Sequence, residues 1–464
     1  MVVTSFFVLQ LLFLPPFAAL ALDFHVVKPH ELAFDARHRP AKLAPLGHGH
    51  NRLSLSLFHR DALPGRNFSG HRHRLDRLLE RDSRRVVTLT RRLSTARYHV
   101  DDFGSEVVSG LEEGSGEYFV RVGVGVPPRD QYLVVDSGSD IVWIQCRPCS
   151  QCYAQSEPVF DPAESASFAG VACGSPICGL LLSGASAAAG CHAGDCRYAV
   201  SYGDGSSTKG TLALETLTFG TSAVRDVAIG CGHSNRGLFV GAAGVLGLGW
   251  GPMSFVGQLG GQAGGAFSYC LVSRGSDAPT GSLVFGRTAA VPVGAVWVPL
   301  LRNLRAPSFY YVRLLGLGVG GVRLPVLEDV FQLTEEGEGG VVMDTGTAVT
   351  RLPDAAYAAL RDAFGAATAG LPRAPGVSIF DTCYSLFGYQ SVRVPTVSFY
   401  FAGGTILTLP ARNFLIPVDD MATFCFAFAP SSSGLSIMGN IQQEGIQITF
   451  DAANGFVGFG PNTC

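Results

Sequence analysis

One short pattern occurs twice in this 464-residue chain. Val134-Val135-Asp136-Ser137-Gly138-Ser139 returns as Val342-Met343-Asp344-Thr345-Gly346-Thr347. Each copy has the same sequel, two hydrophobic residues and a glycine: Val245-Leu246-Gly247 ends 111 residues after Asp136, and Ile437-Met438-Gly439 ends 95 residues after Asp344. A single Asp-Ser-Gly is an ordinary turn after a strand, since all three residues favour turns. Two copies, both behind β-type apolar residues and both with a matching downstream partner, exceed what turn chemistry produces. The pattern predicts two related lobes with one aspartate at the same place in each.

Those lobes read as all-β. From Gly116 onward the chain is a series of short runs rich in β-branched and aromatic residues, broken by Gly, Pro, Asp and Ser: Tyr118-Val122, Tyr132-Val135, Thr211-Phe219, Ser282-Phe285, Tyr310-Leu317, Val341-Met343, Thr396-Phe401 and Gln447-Phe450. Helices are few and short. The best is Asp354-Ala367, with Asp354 as N-cap and Tyr357, Leu360 and Phe364 on one side. With 47% hydrophobic and 15% charged residues, disorder and coiled coil are excluded.

The region ahead of the lobes differs. Residues 23–100 hold 16 Lys+Arg against 7 Asp+Glu, a net +9, while residues 101–464 hold 18 against 30, a net −12. The total of −3 gives no general attraction to nucleic acid. This basic region has no cysteine, nine of the eleven histidines, and the sequon Asn67-Phe68-Ser69, a glycosylation site at Asn67. Leu75, Leu79, Val86, Leu89 and Leu93 recur near helical spacing among Arg72, Arg74, Arg77, Arg81, Arg84 and Arg85, which predicts a basic amphipathic helix. It is read as a removable pro-segment over residues 22–112. Residues 1–21 read as a signal peptide: an apolar run from Phe6 to Phe17 and then Ala19-Leu20-Ala21. Pro15-Pro16 argues against a spanning helix there, and no stable membrane span is expected.

All twelve cysteines lie beyond residue 140, an even count that points to six disulfides in an oxidising compartment. Cys146-x2-Cys149-x2-Cys152 is also a zinc-knot pattern, but His192 lacks a second histidine at the usual spacing. The expectation is therefore disulfides and no metal.

The duplicated aspartates suggest specific chemistry. A strand delivers each to the end of its lobe, glycine lets two loops approach back to back, and the hydroxyls at +1 and +3 can bond the neighbouring loop and the carboxylates. Two carboxyls so close share one proton. One then activates a water while the other polarises a carbonyl. No cofactor is needed.

These paired motifs resemble those of the pepsin-type aspartic proteases, whose dyad is a standard illustration of split titration. The cysteine-rich stretch 146–196 is similar to the nepenthesin-like branch of plants, and Gly439-Asn440-Ile441-Gln442-Gln443 resembles the plant proteases named for guard cells. Leu53-Ser54-Leu55, His59-Arg60-Asp61 and Arg81-Asp82 are similar to the family's pro-region. The resemblance implies a bilobal pepsin-like fold with a central cleft, an N-terminal lobe over 113–300 and a C-terminal lobe over 301–464. It implies Asp136 and Asp344 as the catalytic pair, Ser139 and Thr347 bonding their outer oxygens, and Ser137 and Thr345 locking the loops. Tyr202, followed by Gly203, matches the tip of a substrate-covering flap, and Trp143 the indole supporting it. Ser137 departs from the commoner Thr, and Ala348 stands where hydroxyl residues are frequent. The cysteines alone leave the pairing open; the resemblance implies 146–149, 152–231, 173–196, 178–191, 270–464 and 383–425.

The expected function is an aspartic endopeptidase of the secretory pathway, acting on protein or peptide substrates as a monomer. The apoplast is its expected site, with vacuole and endoplasmic reticulum as alternatives. Its own pro-segment is expected to inhibit it until acidification, with cleavage between Arg97 and Gly116. The alternative is a catalytically silent binding protein of the xylanase-inhibitor type, which keeps the fold but loses the active site. A glycosidase using the same carboxylates would leave the symmetric hydroxyls unexplained.

Overall fold

The computed structural model describes residues 22–32, 53–59, 71–94, 118–183, 188–202, 206–237, 241–260, 264–272, 281–286 and 294–462. All eight predicted runs are strands, Tyr310-Leu317 in two pieces, Tyr310–Val312 and Leu314–Val319. Asn67, Gly203, Cys464 and the signal segment lie outside the described residues.

Each lobe has the same central device. In the first, strand Arg129–Asp136 runs parallel to Gly244–Gly247, so that Gly247 lies opposite Asp136. In the second, Val341–Met343 runs parallel to Ser436–Met438 and Asp344 follows at once. The repeat and its sequel are thus strand partners: the hydrophobic pair after each motif supplies the neighbour of the strand carrying the aspartate. Leu133–Asp136 of the first strand and the whole of the other three are buried, which explains their continuous apolar runs.

A shared sheet joins the lobes. Ala266–Cys270 pairs on one side with Gly281–Phe285 and on the other with Ile446–Asp451, which pairs in turn with Phe456–Asn462. Phe267 stacks on Phe450 at 5.0 Å, and Tyr310 lies 4.4 Å from Phe450, so aromatic burial fastens the junction.

The upstream region is threaded into this body. Phe24–Val27 pairs with the second-lobe strand Val392–Pro395, and Leu53–His59 enters the shared sheet between Gly281–Phe285 and Tyr118–Val124. Next comes a helix of 24 residues, His71–Ser94, longer than an expectation of short helices allows. Leu75, Leu78 and Leu79 pack against Val349, Phe380 and Ile416 of the second lobe, and Leu89 against Phe309 and Leu435. Tertiary contact thus supports a helix whose arginine-rich sequence has few apolar positions. Among the described residues no helix is long and apolar enough to cross a membrane.

Two expectations need correction. The helix Asp354–Ala367 exists, but Pro353 is its N-cap and Asp354 its first residue, where a carboxylate still favours the positive end of the helix. Four of the disulfide pairings also differ. Instead of 146–149, 152–231, 173–196 and 178–191, the bridges are Cys146–Cys231, Cys149–Cys152, Cys173–Cys191 and Cys178–Cys196; Cys383–Cys425 is as expected. Sheet register explains the first, because Cys231 lies opposite Ile144 and the Cys146 amide donates to Gly232, with the two cysteine Cα atoms 5.3 Å apart. Burial sorts the next two. Cys178 and Cys196 share one core cluster, whereas Cys173 and Cys191 lie nearer the surface. The partner implied for Cys270 is outside the described residues.

Non-reducing digestion and mass spectrometry should recover peptides joining Cys146 to Cys231 and Cys178 to Cys196. Recovery of peptides joining Cys152 to Cys231 would show the other arrangement.

Candidate active site

The two aspartates emerge from their strands onto a pair of loops that hold each other. The Ser137 amide donates to Thr345 Oγ1 at 3.1 Å, and the Thr345 amide donates to Ser137 Oγ at 3.0 Å. Thr345 Oγ1 also donates to the Val135 carbonyl at 3.2 Å. The hydroxyl is what matters at this position, so serine serves as well as threonine. A side chain on Gly138 could not fit, since its Cβ would stand 2.8 Å from Asp344 Oδ1.

Each carboxylate is tethered in the same way. Ser139 Oγ donates to Asp136 Oδ2 at 2.6 Å and the Gly138 amide to Oδ1 at 3.0 Å. Thr347 Oγ1 donates to Asp344 Oδ2 at 2.5 Å and the Gly346 amide to Oδ1 at 3.2 Å. Asn440, from the second downstream segment, donates its side-chain amide to the Thr345 carbonyl. Asp140 is fully buried, accepting from the Gly251 amide and from Ser308 Oγ. It braces the first loop against the segment leading into the second lobe.

Trp143 and Tyr202 meet as well. The indole Nε1 donates to the tyrosine hydroxyl at 2.6 Å, and both side chains are buried. The Tyr202 amide donates to the Ser206 carbonyl, next to the paired strands Asp195–Ser201 and Ser207–Phe219.

Sequence reasoning missed the group that now occupies the center. Arg85, on the long helix, donates from Nη2 to Asp136 Oδ1 at 2.6 Å and to Asp344 Oδ1 at 2.8 Å. Its Nε reaches Asp344 Oδ2 at 2.9 Å and its Nη1 lies 3.4 Å from Asp136 Oδ2. One guanidinium thus spans both carboxylates, fork to fork, with 7% of its surface exposed. A Cβ on Gly346 would fall 2.7 Å from Arg85 Cζ, so this glycine also admits the arginine. Burial pushes the Asp136 carboxyl upward, but the Arg85 charge and hydrogen bonds from Arg85, Ser139 and Gly138 together hold it below the ordinary carboxylate range. Burial likewise opposes the charge on Arg85, yet Asp136 and Asp344 raise its pKa.

Paired, hydroxyl-tethered carboxylates at the meeting of two lobes restrict the relatives this chain can have. It is 66% identical over 421 residues to a protein of Arabidopsis thaliana called aspartic protease in guard cell 2, covering 89% of this chain and 88% of that one. The chain belongs to the pepsin-like aspartic proteases of plants. It is also 38% identical over 394 residues to aspartic proteinase nepenthesin-2 of Nepenthes gracilis, covering 84% of this chain and 86% of that protein. The family models that match are described as Xylanase inhibitor N-terminal, over residues 118–287, and Xylanase inhibitor C-terminal, over residues 309–461. Among solved structures the fold is similar to that titled edgp, with a TM-score of 0.62 at 20% identity over 74% of this chain and 91% of that one.

Replacing Thr345 by Val should orphan the Ser137 amide and the Val135 carbonyl, at about 1–3 kcal/mol each. Ser137→Thr should keep the lock and change stability by less than about 1.5 kcal/mol. Urea denaturation of the two variants measures the difference.

Proposed function

We propose that this protease is made as a latent precursor in the secretory pathway and hydrolyses peptide bonds between Asp136 and Asp344 once residues 22–112 are removed. The observation that carries this reading is the Arg85 fork on both carboxylates. One nitrogen reaches both inner oxygens, so a water could take its place with the same two partners once the helix has gone. The dyad would then hold one proton. The ionised carboxylate takes a proton from the water as it attacks the peptide carbonyl, and the protonated one donates to the carbonyl oxygen. Collapse of the tetrahedral intermediate returns a proton to the leaving amine. Trp143 holds Tyr202 for a flap that excludes solvent above the bond being cut.

The bridges from Cys146 to Cys425 support an oxidising compartment, and Phe24–Val27 and Leu53–His59 support a pro-segment folded with the body. The charges of +9 and −12 add a long-range attraction that salt would weaken.

The pH dependence follows from the Asp136 shift. With Arg85 docked, Asp136 is held ionised below its ordinary range; without it, the pair shares a proton. Docking therefore releases about one proton, and protons oppose docking. The latch is complete above the ordinary carboxylate range and is lost as pH falls through the lowered Asp136 value.

Asp136→Asn or Asp344→Asn should leave a folded protein with peptidase activity reduced by roughly 10³-fold or more. Wild-type activity on an unfolded protein at acid pH should be blocked by pepstatin; an Asn variant with half the wild-type rate would refute the assignment. In the full-length precursor, Arg85→Gln should cleave peptides near neutral pH while the wild type stays latent. Equal latency in both, read from activity and N-terminal sequence across pH, would show that the fork is not the lock.

A further inference from the structure

The long helix places a second charged group against the protease body, one turn before Arg85. Asp82 has no exposed side-chain surface. Its Oδ1 accepts from the backbone amides of Ala348 at 2.6 Å and Val349 at 2.9 Å, and its Oδ2 from Arg351 Nη2 at 2.5 Å. All three donors belong to the second lobe, immediately beyond the hydroxyl Thr347 that tethers Asp344.

This cradle is prebuilt. The Asn440 and Ile441 amides donate to the Thr347 and Ala348 carbonyls, fixing the backbone that presents the two amides. Thr350–Pro353 is a strand, paired in parallel with Phe428–Ser431. Arg351 is buried, and its Nε has no hydrogen-bond partner among the described residues. A carboxylate therefore satisfies most of the cradle and leaves one donor in reserve. Around it are Val349, Ile416, Leu78 and Leu79, a setting in which a lone guanidinium is costly.

Removal of the helix takes away the acceptor and leaves the three donors. We propose that these donors, Arg351 Nη2 with the Ala348 and Val349 amides, form a subsite of the mature cleft that reads an aspartate or glutamate side chain of the substrate, with Asp82 as its occupant in the precursor. The proposal rests on the reading that residues 22–112 leave and that Asp136 and Asp344 do the chemistry. It adds which side chain the cleft prefers. Asp82 and Arg85 are separated by three residues at 1.5 Å each along a helix, about 4.5 Å. An extended substrate covers about 3.3 Å per residue, so the acidic side chain belongs within two residues of the cut bond. Arg351 is a specificity-determining residue, and the Asn440 segment positions the amides beside it.

The test uses activated enzyme and a set of internally quenched peptides of one neutral sequence. Each carries Asp, Asn, Glu or Gln at a single position within three residues of the cut bond. Assays at about pH 5 keep the peptide carboxylates mostly ionised. The wild type should favour acid over amide in kcat/KM by roughly tenfold to a hundredfold at one position, the scale of a hydrogen bond to a charged group. In Arg351→Gln that ratio should fall to near one, and Arg351→Lys should recover part of it. The ratio is taken within each enzyme, so a variant of lower overall activity still reports. An Asp136→Asn control, which should cleave nothing, tests the catalytic assignment separately. A wild type that cuts the neutral peptide but shows no acid preference overturns the subsite alone, as does an Arg351→Gln enzyme that keeps the preference.

Discussion

The reciprocal hydrogen bonds between Ser137 and Thr345 are the constraint on which the paired-aspartate site depends. Two buried carboxylates repel, and nothing in either lobe alone would hold them at one point. The crossed bonds fix the distance between the loops, and Gly138, which has no side chain to meet Asp344, allows that distance to be short. Everything else in the center then follows locally. The residues at +3 turn their hydroxyls to the outer oxygens, and the inner oxygens are left to face a common partner.

In the structure described, that partner is a cation. A guanidinium between two carboxylates compensates repulsion and desolvation together, which neither water nor a single lysine ammonium could do with the same fork geometry. The helix carrying Arg85 gains little from its own sequence and much from the cleft. Its buried residues run Leu75, Leu78, Leu79, Arg81, Asp82, Arg85 and Leu89, hydrophobic at both ends and charged in the middle. The cleft has the complementary pattern, with apolar walls flanking an anionic dyad and the cationic Arg351.

That stripe also explains what could be read before the structure was known. The aspartates and their hydroxyls were legible, because a repeated motif at the ends of strands is a local signal, whereas Trp143 and Tyr202 were implied only by the family resemblance. The basic helix was legible as a helix. Arg85 was not singled out, since periodicity ranks apolar positions and the other arginines of the helix, Arg81 among them equally buried, conceal the one that reaches the carboxylates. The available signal was that Asp82 and Arg85 fall on the same stripe as the leucines, where charges must have partners. Disulfide partners were hidden for another reason. Cys178, on a helix, and Cys196, on a strand, are brought together by burial in one core cluster, which spacing along the chain does not carry.

The strand Leu53–His59 has hydrogen-bonded neighbours on both sides, five residue pairs with Gly281–Phe285 and three with Tyr118–Val124. Cutting the chain beyond the helix releases none of those bonds. If the upstream segment is removed as proposed, the severed piece would still be tied in by this strand, which would have to be peeled out before the arginine could leave. On the proposed reading, chain scission and the opening of the cleft would be separate events, because the second also requires a strand to leave the middle of a sheet.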